Sequence, residues 1–160
     1  MLNKIIILFA AFLLMPVLAV SSESPDEINK QKFASVQAKI KSIDVATLKS
    51  WIENKKNFIL LDVREPDEIN AVKIAAENSI AIPRGVVEFL FHSKVPDREA
   101  TVVVYCSHGK RSAVVTDIIN GYGYKNIYSL KDGIFAWIMA GYEVENLYGT
   151  FKMNNFKSKF

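Results

Sequence analysis

The sequence predicts an α/β domain, a parallel β-sheet with helices on both faces, preceded by an extra N-terminal helix. Three observations point there. Residues 58–63 and 101–105 are short, nearly continuous apolar runs, the habit of central parallel strands buried on both faces. Stretches with apolar residues at helical spacing lie between such runs. The two kinds of segment alternate along the chain, which calls for crossover connections and hence parallel pairing.

Taken in order, residues 21–26 are polar and read as an unpacked lead-in. Residues 27–41 set Phe33, Val36 and Ile40 at helical spacing, with Ile43 continuing the pattern, so an amphipathic helix with a packing role is expected ahead of the main domain. Asp44 suits the cap of a second helix carrying Val45, Leu48, Trp51 and Ile52, which ends in the polar stretch 54–57. The run 58–63 follows as a strand. Pro66, tolerated in a first helical turn, is followed by Asp67 and Glu68, which favour the positive end of the helix dipole, so a helix starts here. A short strand around Ile80 and Ile82 is closed by Pro83.

Thr-Val-Val-Val-Tyr at 101–105 is the strongest strand signal, β-branched almost throughout, and it ends at Cys106. Residues 112–122 place Val114, Val115, Ile118, Ile119 and Tyr122 on one helical face, with Gly121 and Gly123 as terminators. Residues 127–130 read as strand, 134–140 as helix and 142–144 as a last extended piece. The expected organisation is a signal peptide at 1–21, a polar segment and helix at 22–42, the main domain at 43–145 and a tail at 146–160.

Composition narrows the function. The chain has 160 residues, 20 Lys+Arg against 17 Asp+Glu, a formal charge of +3 and 50% hydrophobic residues, which excludes disordered, collagenous and repeat-array proteins. A single cysteine excludes an internal disulfide framework and a Cys-cluster zinc site, and no metal or cofactor is expected. No basic run suggests nucleic acid. Lys4 is the only charge before Glu23, residues 5–20 are apolar, and Ala19, Ser21 and Ser22 are small, the pattern of a cleaved secretory signal. Periplasmic export is therefore expected, with no stable membrane span after cleavage; the other reading is an uncleaved membrane anchor, against which the apolar run falls short of the ~20 residues a spanning helix needs.

Chemistry concentrates in Cys106, Ser107, His108, Gly109, Lys110, Arg111 and Ser112, between the most apolar strand and a helix. Ligands bind at such strand-to-helix joints. A short loop ahead of a helix N-terminus turns backbone N–H groups inward and favours an anion at its centre. Gly109 permits the tight path, and Lys110 and Arg111 add positive charge that favours thiolate, the nucleophilic form of Cys106. An inert buried cysteine has no need of these neighbours. His92 reads as a solvated surface residue and Trp137 as core.

These residues also carry a resemblance. The stretch Leu60-Leu61-Asp62-Val63-Arg64-Glu65-Pro66-Asp67-Glu68, the loop 106–112, and Gly123-Tyr-Lys-Asn-Ile-Tyr-Ser-Leu-Lys-Asp-Gly-Ile-Phe-Ala-Trp137 with Ala140-Gly141 resemble a single-domain rhodanese over about residues 43–145. The resemblance implies a sulfurtransferase that takes sulfane sulfur from thiosulfate or a persulfide donor onto Cys106. A thiol, cyanide or a protein thiol would then accept it. It also implies that Asp62 and Arg64, at the end of a neighbouring strand, brace the active-site loop; the other reading of this pair is an ordinary ion pair with helix acids such as Glu68. His108 is read as loop polarity or a substrate contact, since it has no acid partner and thiolate attack needs no base. The chain departs from the family across 72–83, keeping only Ile82-Pro83 of the usual pattern, so the register over 70–80 stays open. The tail with Phe151, Phe156 and Phe160 has no counterpart. Two other functions fit the loop: a non-catalytic binding module for a periplasmic redox partner, and a cysteine phosphatase. Such phosphatases place five residues between Cys and Arg, whereas four separate Cys106 from Arg111.

Overall fold

A computed structural model of the chain describes residues 23–153; the predicted signal segment and the tail residues Phe156 and Phe160 lie outside the described residues. The first helix, α1 (Pro25–Lys39), starts where Ser24 accepts a hydrogen bond from the Glu27 amide and Pro25 occupies the first turn. Phe33, Val36 and Ile40 are half-buried and the remaining residues exposed, so the helix carries one apolar stripe, laid against the helix Lys110–Gly121 described below. Helical spacing over-reaches here. The chain turns extended at Ile40, and Ile43 belongs to strand β1 (Lys41–Ile43).

Asp44 caps α2 (Val45–Glu53), accepting from the Thr47 amide at 2.7 Å. The apolar run forms β2 (Ile59–Asp62), followed by α3 (Pro66–Ala71), whose start is a reciprocal capping box between Glu65 and Glu68. Next come β3 (Lys73–Ile74), β4 (Ser79–Ala81), a single 3-10 turn at Arg84–Val86 and α4 (Val87–Lys94). Strand β5 (Val102–Tyr105) leads through the Cys106 loop into α5 (Lys110–Gly121). The remainder is β6 (Ile127–Leu130), α6 (Gly133–Met139) and the hairpin of β7 (Val144–Asn146) and β8 (Gly149–Phe151).

Five strands form an all-parallel sheet in the order β1-β6-β5-β2-β4, so β5 is central and Cys106 emerges from its carboxyl end. Alternate residues of β5 feed two cores. Val102 and Val104 join Leu61, Val87, Phe91, Val115 and Ile119 beneath α4 and α5, whereas Val103 and Tyr105 join Leu48, Leu60, Leu130 and Trp137 beneath α2 and α6. Both faces are therefore covered, which is why the run is apolar at every position. On α5 the buried residues are Ser112, Ala113, Val115, Thr116 and Ile119; Tyr122 stands 50% exposed beyond the last turn and does not share the face expected for it. A small antiparallel sheet, β3-β7-β8, closes one side of the domain.

Candidate active site

Cys106 lies on the floor of its loop, not at the rim, and is 1% exposed. What surrounds the sulfur decides its chemistry. The Gly109 amide donates to Sγ at 3.2 Å and the Ser112 amide at 3.4 Å, while the Ser112 hydroxyl lies 3.7 Å away. Gly109 is the N-cap of α5 with φ +82, and Ser112 is in its first turn, so the sulfur occupies the positive end of that helix. N–H groups fixed in this way stabilise negative charge without reorganising.

The carbonyls are turned away by another element. Ile134 N–H donates to the Cys106 carbonyl at 2.9 Å and Phe135 N–H to the Ser107 carbonyl at 3.1 Å, so amides in the first turn of α6 hold both oxygens away from the sulfur. This approach requires glycine at 133. Its φ is +60, and a Cβ there would lie 2.2 Å from the Cys106 carbonyl oxygen and 2.6 Å from that of Ser107. Gly133 is a site residue the sequence reading passed over, although Asp132-Gly133 ahead of an apolar helix was a visible signal.

Glu68 is the second. Its carboxylate takes both Arg111 nitrogens at 2.7 Å and the Ser107 hydroxyl at 2.5 Å, tying α3 to the loop. The Arg111 hydrogen bonds outweigh the opposing effect of burial, and with Ser107 they hold the Glu68 carboxyl at about 2. Arg111 is thus paired, and its charge is compensated beside the sulfur. Lys110 is exposed and makes no hydrogen bond or ion pair among the described residues, so it is the loop's free cation there. His108 is exposed and stacks on Phe135 at 5.0 Å between ring centroids.

Asp62 and Arg64 form a buried ion pair at 2.6 Å that does not touch the loop directly. Arg64 donates instead to the backbone carbonyls of Glu68 at 3.2 Å and Val72 at 2.8 Å, fixing α3 from below. It meets the Glu68 carbonyl, not its carboxylate. The pair is linked to the loop through Glu68, whose backbone it anchors and whose side chain holds Arg111, and Arg64 also lies over the ring of Tyr105, the residue before Cys106, at 5.4 Å. Beside the loop, α1 forms one wall of a cleft of about 400 Å³ through Phe33, Gln37 and Ile40, with His108, Lys110 and Lys131 opposite. Among the described residues no cluster of His, Cys, Asp or Glu could hold a metal, and no helix is long and apolar enough to cross a membrane.

A family model described as a rhodanese-like domain matches residues 44–140. A putative mitochondrial thiosulfate sulfurtransferase of Schizosaccharomyces pombe is 38% identical over 93 residues, 51% of this chain; the match spans 64% of that protein's length. The thiosulfate sulfurtransferase GlpE of Coxiella burnetii is 30% identical over 94 residues, 58% of this chain and 84% of GlpE. Among solved structures, a rhodanese-related protein from Thermoplasma volcanium superposes with a TM-score of 0.56 at 37% identity, covering 66% of this chain and 97% of its own.

Proposed function

Since the chain belongs to the rhodanese-like domain family, we propose that it is a sulfurtransferase carrying sulfane sulfur on Cys106. The observation that carries this reading is the pair of amides, Gly109 and Ser112, aimed at Sγ while the Cys106 and Ser107 carbonyls are held away. In the first half-reaction the Cys106 thiolate attacks the outer sulfur of thiosulfate. A Cys–S–S bond forms, the S–S bond of the donor breaks, and its electron pair leaves with sulfite. The persulfide anion keeps one negative charge, which the amides stabilise as they would an oxyanion. In the second half-reaction a thiolate or cyanide takes the terminal sulfur, the Cys–S–S bond breaks, and the Cys106 thiolate returns. Lys110, unpaired among the described residues at the loop surface, attracts an anionic donor, a steering effect that salt screens.

Arg111 bound to Glu68 is not free to grip a phosphoryl group, and four residues lie between it and Cys106, so the phosphatase reading loses its main ligand. Export to the periplasm rests on the composition of residues 1–21 alone. In an oxidising compartment a solitary thiol has no resolving partner in its own chain, and loading with sulfur protects it.

The test is intact-protein mass spectrometry after thiosulfate exposure: the chain gains the mass of one sulfur atom, and cyanide removes it. A chain that stays at its original mass under saturating thiosulfate and persulfide donors overturns the reading.

A further inference from the structure

Ser112 has one hydroxyl proton and three neighbours that could use it. Its Oγ lies 3.7 Å from Sγ of Cys106, 3.0 Å from the Gly109 carbonyl and 3.0 Å from Oγ of Ser129. The Gly109 carbonyl already accepts the Ala113 amide at 3.1 Å, so it stays bonded if the Ser112 proton turns elsewhere. Ser129, on the neighbouring strand β6, is 3% exposed, and Ser112 is its side chain's hydrogen-bond partner among the described residues. A buried hydroxyl left without a partner is costly, so the Ser129 proton has good reason to point at Ser112.

We propose that Ser129 is a positioning residue for the sulfur chemistry of Cys106: by donating to Ser112 Oγ it turns the Ser112 hydroxyl proton toward the anionic sulfur. This deepens the sulfurtransferase reading and rests on Cys106 acting as an anion. With the protonated thiol, Cys106 can donate to Ser112 and the chain of hydroxyls runs toward Ser129. When the sulfur is anionic the polarity reverses, running from Ser129 to Ser112 to sulfur. Hydrogen bonds in such a chain polarise one another, so the third donor reaching Cys106 is strengthened by a residue that does not touch it. Charge on the sulfur is also felt by Arg111, itself bound to Glu68; Ser129 adds no charge, so its effect is separable from theirs.

The experiment follows Cys106 alkylation by iodoacetamide across pH in the full chain, comparing wild type, Ser129→Ala, Ser112→Ala and the double variant, with thermal unfolding alongside. Ser129→Ala is expected to slow alkylation roughly three- to fivefold on the rising limb of the profile and displace that limb to higher pH, the size expected for one neutral hydrogen bond. In the Ser112→Ala background the same change has no further effect, because Ser129 acts through Ser112. A Ser129→Ala profile identical to wild type overturns the proposal, as does an equal slowing in both backgrounds. Wild-type protein that alkylates with this pattern but gains no sulfur from any donor refutes the sulfurtransferase reading and leaves the serine coupling standing.

Discussion

Gly133→Ala tests how the loop is built. The added Cβ would sit 2.2 Å from the Cys106 carbonyl oxygen, and this is backbone, which cannot swing aside as a side chain can. Restoring ordinary contact needs a displacement of about 1.2 Å, enough to take both α6 hydrogen bonds out of range. Two neutral hydrogen bonds contribute about 1 kcal/mol each, and a non-glycine residue held in left-handed geometry costs about 1–2 kcal/mol. The sum, roughly 3–4 kcal/mol, corresponds to a fall in unfolding temperature of about 10 °C for a domain of this size. Gly141→Ala is the control, since Gly141 has φ +72 but a Cβ added there would meet nothing within 4 Å, so it carries the strain without the collision. Circular dichroism melts and sulfur loading by mass spectrometry are measured on both. Gly133→Ala is expected to melt about 5 °C lower than Gly141→Ala, the share left once the common strain cancels, and to load sulfur at least about tenfold more slowly, because the freed carbonyls can turn toward the sulfur. Equal melting of the two variants, or normal loading by Gly133→Ala, would refute the role given to α6.

Cys106→Ser is expected to keep the fold and lose all sulfur transfer; retained thiosulfate:cyanide activity would reassign the nucleophile. Glu68→Gln weakens the bidentate contact to Arg111, and transfer should fall about tenfold with a small loss of stability, roughly 1 kcal/mol, since the pair is about one-third exposed and screened. The Glu68 carboxyl titrates lower folded than unfolded, so its contribution is complete above its ordinary value of 4.5 and is lost as pH falls toward about 2. Acid titration of the melting temperature should therefore show a drop across that window that is smaller in Glu68→Gln. Arg64→Met strands Asp62 as a buried uncompensated charge and should cost about 3–5 kcal/mol, read from urea unfolding.

Much of this was legible from residue order. The largely β-branched run Val102 to Tyr105 is the doubly covered central strand, and residue order alone puts Cys106 and Gly109 at the joint between it and a helix. What escaped notice depended on contacts between distant residues. In the sequence Glu68 reads as a first-turn helix acid and a partner for Arg64, because nothing local reveals that a carboxylate 43 positions before Arg111 will meet it. Asp132-Gly133 marks a turn locally, but the need for glycine at 133 comes from two carbonyls of another segment. Ile43 shows the opposite failure, a local pattern that continues past its element. The spacing from Phe33 through Ile40 runs on to Ile43, but edge pairing of Ser42 with Ser129 and Ile43 with Leu130 draws that residue into the sheet. Tyr122 fits the helical wheel of α5, yet the helix ends before that position can reach the core.

The dependence of the Cys106 loop on α6 also orders events in time. A polypeptide is made from its N-terminus, so the thiol is synthesised before the amides of Ile134 and Phe135 that restrain its surroundings. A nascent or truncated product ending ahead of Gly133 has the thiol without the α6 amides that restrain its loop. The surroundings of Sγ therefore take their final form only when α6 has docked, after the strand and helix on either side of Cys106 have been made.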